Sequence, residues 1–469
     1  MKYKNLELKC NEIYISKREN KNLIVAVDTG KWTIVNNRIM EFIYSIQQGK
    51  QCNILDIEEN IIMKLYKLGI LNVNYTSYYT SVDVNRAIIE ANPTPTLCLL
   101  HMSNLCNLQC RYCYAYTGSG VQERMEWPVI KMAIDRFCEL DTDHITIEFH
   151  GGEPLLNYKL IEQGCQYAKE RAIFTGKEVE FSMQSNLTVV NDDIVKMLKQ
   201  YNIALRFSLD GEKEENDHYR INANGEGSFD IIVHNLKLLH DEGIFPEVVC
   251  VVSKRNIDKL IDICTFFVKL NINRVRFVPF WAQGAGNNIA SDVVEDEYLA
   301  QKYIELLEWI ILYNLKQDDA NKKIRILSVE KEIEALTSNR RSYMCLRCPC
   351  GAGINMVDID IKGEIYPCEE MNDIKEMYVG NIFNGSIMQQ YQESEVVRKL
   401  KQRTPNTIEE CRTCPWKRSC QSGCANKNFQ KYGRIDSKSD KCIYYKKYFE
   451  ELIWLMDKYR GQYKELLCN

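Results

Sequence analysis

The sequence predicts an α/β chain: a partial (β/α)6 barrel, preceded by a small winged-helix-like α+β domain and followed by a cysteine-rich region. Three observations carry that expectation. From residue 96, strand-like and helix-like patterns alternate six times. Before it, two short strands are followed by two amphipathic helices. After 345, cysteines crowd at spacings that suit metal clusters.

The elements follow in order. Residues 22–36, NLIVAVDTGKWTIVN, give a strand, a DTG turn and a second strand. Helical periodicity appears at 37–48, with Ile39, Phe42, Ile43 and Ile46 on one face, and at 57–68, with Ile61, Ile62, Leu65 and Leu68. ILNVN at 70–74 is a further strand. This front domain takes residues 1–80, and the polar stretch 81–95, ending NPTP, is a linker. The barrel takes 96–290. Its strands are expected at 96–102, 145–150, 179–184, 204–209, 246–252 and 274–280, with helices at 128–139, 157–172, 191–200, 229–242 and 256–270. A helical bridge at 291–344 begins with a long amphipathic helix, 295–316, that leaves the barrel. Residues 345–442 show little regular pattern and are expected to fold around metals rather than around a large apolar core, and 443–469 form a closing helix.

Composition narrows the function. At 469 residues, two or three domains are expected. The net charge of −4, without a run of like charges, argues against a nucleic-acid partner, which needs a concentrated basic face. No stretch approaches eighteen uninterrupted apolar residues, so no membrane partner is expected either. The amino terminus lacks the apolar core of a secretory signal, which predicts a cytoplasmic protein. In a reducing compartment, twenty cysteines are metal ligands or reactive thiols rather than disulfides.

Cys106-Asn-Leu-Gln-Cys110-Arg-Tyr-Cys113 follows the first barrel strand. Three thiolates on one tight loop hold three irons of a four-iron cluster and leave the fourth open to chelate a ligand. A structural zinc site is the alternative, and it would need a fourth ligand, for which His101 is the only close candidate. The CxxxCxxC pattern with Tyr112 before its last cysteine resembles the signature of radical S-adenosylmethionine (SAM) enzymes. In that family, reduced cluster and SAM yield a 5′-deoxyadenosyl radical that abstracts hydrogen. His150-Gly151-Gly152-Glu153-Pro154, ending the second strand, resembles the family's GGEP motif, whose backbone and Glu bind the SAM amino group. Glycines let backbone approach a ligand closely. Ser208-Leu209-Asp210-Gly211 and Asn216-Asp217-His218-Tyr219-Arg220 resemble the SLDG and HDxxR elements of the maturase branch. The resemblance implies that Ser208 contacts the ribose and Arg220 the SAM carboxylate, a charge-assisted bond. The first residue of HDxxR is Asn216 here, so only Asp217 and Arg220 carry over. Ser185, in Gln184-Ser185-Asn186, takes the place of a family Thr-Asn-Gly and is expected at the ribose, and Phe280 or Trp281 at the adenine.

The cysteines at 350, 368, 411, 414, 420, 424 and 442 match, one for one, the seven-cysteine pattern of the SPASM domain, a twin-cluster extension of radical SAM peptide-modifying enzymes. The resemblance assigns Cys350, Cys368 and Cys424 to auxiliary cluster I, and Cys411, Cys414, Cys420 and Cys442 to auxiliary cluster II. Two closed four-iron clusters need eight thiolates. Cys345 is the expected eighth, with Cys348, one proline from Cys350, the spare. Three [4Fe–4S] clusters and SAM are thus the expected cofactors; zinc ribbons are the alternative for the last set. Glu369, after Cys368, stands where sulfatase-maturing enzymes carry an Asp that acts as base. The cysteines at 10, 52, 98, 138, 165, 250, 264 and 468 lack motif context and are expected in the core.

The front domain resembles the recognition element of maturases of ribosomally made peptides, related to the pyrroloquinoline quinone peptide chaperone. There a strand edge takes the leader peptide as an added strand. Together the resemblances imply a radical SAM peptide maturase. It would hold a precursor by its leader, draw electrons from a flavodoxin or ferredoxin, and install an oxidative crosslink, with a Cys thioether first. The competing expectations are a sulfatase-type maturase that makes formylglycine from Cys or Ser, and an iron–sulfur electron carrier or redox sensor.

Overall fold

A computed structural model describes residues 7–50, 57–78, 94–115, 123–338 and 341–467. Most of the linker expected at 81–95 lies outside them, as do Cys52 and Cys468. The chain forms two compact units. The first holds Met1–Ala91, Lys331–Cys350 and Arg403–Lys458; the second holds Asn92–Glu330, Gly351–Gln402 and Tyr459–Asn469.

The first unit opens with β1 (Leu8–Cys10), β2 (Ile13–Arg18), β3 (Lys21–Ala26) and β4 (Trp32–Asn36). Strands β2, β3 and β4 make an antiparallel sheet in that order. The DTG turn closes the β3–β4 hairpin: Gly30 takes a φ of +66° and donates its amide to Ala26 O at 2.8 Å. Asn36 caps α1 (Asn37–Gln47), its side chain accepting from Ile39 N at 3.0 Å. Then come α2 (Glu59–Lys67) and β5 (Leu71–Val73), which pairs with β1. Ile24, Val35, Phe42, Ile43, Ile62, Leu65 and Ile70 form the core. Strands β1 and β2 were not anticipated, because their apolar residues are interleaved with Lys, Asn and Glu.

The second unit is the barrel. Parallel strands β6 (Leu97–His101), β7 (His144–His150), β8 (Glu178–Ser185), β9 (Ala204–Ser208), β10 (Glu247–Val252) and β11 (Arg274–Pro279) lie side by side in chain order. Between them run α3 (Trp127–Cys138), α4 (Tyr158–Thr175), α5 (Asp192–Gln200), α6 (Lys213–Tyr219), α7 (Phe229–Asp241) and α8 (Leu260–Lys269). Cys98, Cys165, Cys250 and Cys264 are buried in this core. Two expectations are corrected. The long helix α9 (Asp296–Asn314) does not leave the barrel; it packs on α8 with Leu299, Leu306, Leu307 and Ile310 buried, because its apolar face is continuous. After it, β12 (Arg325–Ile326) pairs with β11, and α10 is Leu327–Thr337. The cysteine-rich region is also more regular than expected. Its strand β13 (Met356–Ile359) pairs parallel with β6, and β14 (Glu364–Tyr366) and β15 (Gly380–Asn381) extend the sheet to ten strands. The buried run Met-Val-Asp-Ile finds in β6 an edge to complete. Helices α11 (Ile387–Glu393) and α12 (Glu395–Gln402) follow.

The rest of the first unit is α13 (Glu409–Arg412), α14 (Lys417–Cys420), α15 (Ala425–Tyr432) and α16 (Cys442–Lys458). Strand β2 lies along α16. Tyr14 and Ser16 donate to Glu450 at 2.7 and 2.5 Å, and Arg18 pairs with Glu451 at 2.5 Å. The DTG turn meets the segment before Cys420. Lys417 Nζ lies 3.3 Å from Asp28 Oδ1, and Arg418 Nε donates to Asp28 O at 2.9 Å. A Cβ on Gly30 would fall 2.5 Å from Arg418 Cβ. Among the described residues no helix is long and apolar enough to cross a membrane.

Candidate active site and cluster sites

The cysteine loop after β6 is held by backbone bonds on three sides. Gly152 N donates to Ser103 O at 2.7 Å and Glu153 N to Leu105 O at 2.8 Å, so the GGEP segment runs against the approach to Cys106. A Cβ on Gly152 would lie 2.0 Å from Leu105 O, and one on Gly151 2.4 Å from Ser103 O. The two glycines are required by this approach of two backbones, a nearer partner than the ligand anticipated from the motif. On the second side, Gln109 N and Arg111 N donate to Ile221 O and Tyr219 O, at 2.6 and 3.0 Å. On the third, Ala285 N donates to Cys113 O at 2.9 Å.

Cys106 Sγ accepts from Leu108 N at 3.4 Å and from Asn186 Nδ2 at 3.5 Å. Burial pushes the Cys106 and Cys110 thiols up to about 11 and about 12, while Arg220 draws Cys110 the other way. Thiols so buried ionise only with a strong cationic partner, as bound iron provides. The three also feel one another's charge, yet they do not form a set whose sulfurs all lie within 4.8 Å. A single tetrahedral ion with bonds of about 2.3 Å would draw them closer than that. The donor set therefore fits a cluster better than zinc.

Glu153 is completely buried. Its carboxylate accepts from Ser185 Oγ at 2.8 Å, Asn186 N at 2.6 Å and Leu155 N at 3.0 Å, and burial raises it to about 7. Ser185, expected at a ribose, instead spends its hydroxyl on Glu153 and on Leu187 N at 2.9 Å. Asp210 is likewise committed to the protein. Its Oδ2 accepts from Arg220 Nε at 3.0 Å and from the Tyr112 hydroxyl, and its Oδ1 from Val251 N at 2.9 Å. It thus ties the cysteine loop to Arg220, whose guanidinium lies 5.3 Å from the Tyr112 ring centre. Arg220 is aimed by α6, and Asp217 caps the following turn by accepting from Phe229 N at 2.8 Å. Ser208 accepts from Gln184 at 3.1 Å. Phe280 is buried against Tyr112, whereas Trp281 is half-buried.

The barrel interior holds polar residues, of which sequence reasoning singled out His101, His150 and Glu369 and missed Glu148, Arg206 and Asp358. Glu148 pairs with Arg206 at 2.5 Å and accepts from Ser182 at 3.1 Å. His150 Nε2 lies 3.7 Å from Glu369 Oε2, and His101 Nε2 lies 3.2 Å from Asp358 Oδ1. Burial, with His101 and Arg206 nearby, lowers His150 to about 4, so it is neutral. Burial beside Glu148 and Glu370 raises Glu369. The signal was present: His144, Thr146, Glu148 and His150 alternate along β7, and a barrel strand with a polar inner face has something polar to receive.

In the first unit, Cys411, Cys414, Cys420 and Cys442 stand within electrostatic reach of one another, and burial raises the first three. The Ser422 hydroxyl donates to Cys411 Sγ at 3.4 Å, and Cys442 opens α16. This set too falls outside single-ion dimensions. Cys345 is exposed, and Cys348 is buried, its thiol 3.7 Å from Arg403 O. Cys350 and Cys424 lie in this unit and Cys368 in the barrel unit.

Comparison with known proteins agrees with this chemistry. Residues 100–266 match the radical SAM superfamily, and 350–415 match SPASM, an iron–sulfur cluster-binding domain. A cysteine-type anaerobic sulfatase-maturating enzyme of Clostridium novyi is 25% identical over 379 residues, 75% of this chain and 93% of that protein. Among solved structures, anSMEcpe with bound AdoMet superposes with a TM-score of 0.67 at 19% identity, over 80% of this chain and 98% of that one. Streptococcus suis SuiB bound to precursor peptide SuiA gives 0.53 at 14% identity, over 93% and 99%. The two domains imply [4Fe–4S] clusters and AdoMet as cofactors. The chain joins a radical SAM domain to a SPASM domain and is an enzyme, a radical SAM oxidoreductase.

Proposed function

We propose that the enzyme is a peptide maturase with three [4Fe–4S] clusters that installs an oxidative crosslink, a Cys thioether first, in a ribosomally made precursor. The observation that carries this reading is the joining of a three-stranded front sheet to the loop of a second cysteine set, through Asp28, Lys417 and Arg418. An electron carrier would have no use for such a sheet. In this reading, the front sheet takes the leader on an outer strand, and the precursor's reacting residue enters the barrel. Cys106, Cys110 and Cys113 would hold the barrel cluster, which with SAM would supply a 5′-deoxyadenosyl radical for hydrogen abstraction. Gly151, Gly152 and Glu153 hold the SAM amino group, Arg220 its carboxylate, and Ser208 and Trp281 flank its nucleoside. Asp210, Ser185 and Tyr112 keep those groups in place. An auxiliary cluster would take the remaining electron released by the substrate radical, Glu369 is the candidate acceptor of the proton, and a flavodoxin or ferredoxin would supply the electron for SAM cleavage. Cys350, Cys368, Cys424 and Cys345 hold auxiliary cluster I, with Cys411, Cys414, Cys420 and Cys442 on cluster II.

A second reading, formylglycine formation, draws on the similarity to the Clostridium novyi enzyme. Anaerobic turnover with SAM, dithionite and a panel of Cys-containing synthetic peptides separates the two. A crosslink appears as loss of two hydrogens with 5′-deoxyadenosine formed, and formylglycine as loss of the cysteine sulfur. A peptide of unchanged mass, with SAM cleaved, would sink the assigned substrate and leave the enzyme class standing.

A further inference from the structure

Arg403 is 3% exposed, and its guanidinium is held by backbone carbonyls alone: Nε donates to Ile435 O at 2.6 Å, and Nη2 to Ser422 O at 2.6 Å and Gly423 O at 3.1 Å. Among the described residues no carboxylate pairs with it. Lys417, equally buried at 5%, has Asp28 as its counter-ion. A buried cation without an anion is strongly unfavourable, and proteins keep such charges only against a compensating one. The surroundings show which anion is meant. Ser422, whose carbonyl Arg403 holds, donates its hydroxyl to Cys411 Sγ, and Gly423 N donates to Cys420 O at 3.0 Å. A four-iron cluster on four thiolates is an anion in either redox state.

We propose that Arg403 is the built-in counter-charge of the cluster on Cys411, Cys414, Cys420 and Cys442, and that it raises the reduction potential of that cluster. The inference rests on the reading of these four cysteines as cluster ligands. Reduction adds one negative charge, so a fixed cation beside the cluster favours the reduced form. The arginine thereby makes this cluster the readier acceptor of an electron.

The test uses full-length protein with Cys106, Cys110 and Cys113 replaced by Ala, so that only the carboxy-terminal clusters titrate. Redox titration followed by electron paramagnetic resonance compares Arg403, Arg403→Lys and Arg403→Gln, with the signal assigned by its loss in Cys414→Ser. The Gln variant is expected to show a reduced-to-oxidised ratio at least tenfold lower at fixed poise, about 59 mV for a one-electron couple. The Lys variant is expected to stay within about threefold of the parent, since the charge is kept. A Gln variant that holds full iron and titrates like the parent would overturn the inference. Iron that does not fall in Cys414→Ser overturns the cluster reading along with it. Should the variants fail to fold, hydrogen exchange on wild-type protein decides. Amides of 403–435 are expected to gain protection when iron is loaded, and equal protection in stripped and loaded protein overturns the proposal.

Discussion

The two cysteine sets solve one problem in opposite ways. Cys106, Cys110 and Cys113 sit on a single loop whose backbone is bonded to the GGEP segment, to 219–221 and to Ala285. Cys411, Cys414, Cys420 and Cys442 are gathered from two short helices, a turn and the start of α16, with Arg403 buried beside the turn after Cys420. The first set is bonded into the barrel through its backbone, whereas the second is assembled from separate short elements. Under the proposed function the difference suits their tasks: a site that leaves one iron open for a ligand needs geometry that the metal does not dictate, and a closed four-thiolate site has no such need.

The largest expected effect breaks the comparison directly. Cys113→Ala should reduce 5′-deoxyadenosine formation by more than about a thousandfold while leaving the melting temperature unchanged, because backbone bonds still hold the loop. Cys414→Ala should do the reverse to structure, exposing 403–458 to proteolysis, as metal loss does in small metal-organised domains. Equal melting behaviour in the two variants would end the contrast.

Next comes Gly152→Ala. The added Cβ would meet Leu105 O, so the two backbones must separate, at a cost of about 3 kcal/mol in a denaturant melt and with loss of the barrel cluster. Asp210→Asn sharpens the same side. Arg220 would lose its buried partner, and SAM affinity measured by equilibrium dialysis should fall by about ten- to a hundredfold, with iron at the carboxy-terminal set retained. The smallest effect belongs to the first unit. Burial raises Glu332 from its ordinary 4.5 to about 7, with Tyr448 donating to it at 2.6 Å. The folded protein keeps this proton to a higher pH than the unfolded chain. Stability from this group is thus complete below about pH 4.5 and is lost as pH rises toward 7, by on the order of 1–3 kcal/mol. Glu332→Gln should flatten that slope in urea midpoints taken between pH 5 and 7.5.

The barrel strands were legible because buried apolar residues recur at every second position along them, and each lies within two residues of its expected position. The cysteine spacings were legible because ligands on one loop leave a local trace. What escaped was non-local. Strand β13 is one apolar run among several, and only its pairing with β6, more than two hundred residues earlier, makes it part of the barrel sheet. Likewise, Ser185 and Asp210 sit where a ligand was expected, but their partners, Glu153 and Tyr112, come from other strands and loops. Motif position did not show which protein groups these side chains bond to.

The fit of Gly30 against Arg418 has a consequence for anyone wishing to exchange the front domain of this enzyme. Grafting a foreign front domain would set a new turn against Trp416-Lys417-Arg418, and any side chain at the position of Gly30 would have to displace the arginine stem. A transplant that keeps Asp28, Thr29 and Gly30 and exchanges only the outer surface of the sheet respects that seam. The natural splice point for chimaeras is therefore inside the hairpin, on either side of the DTG turn, rather than in the linker between domains.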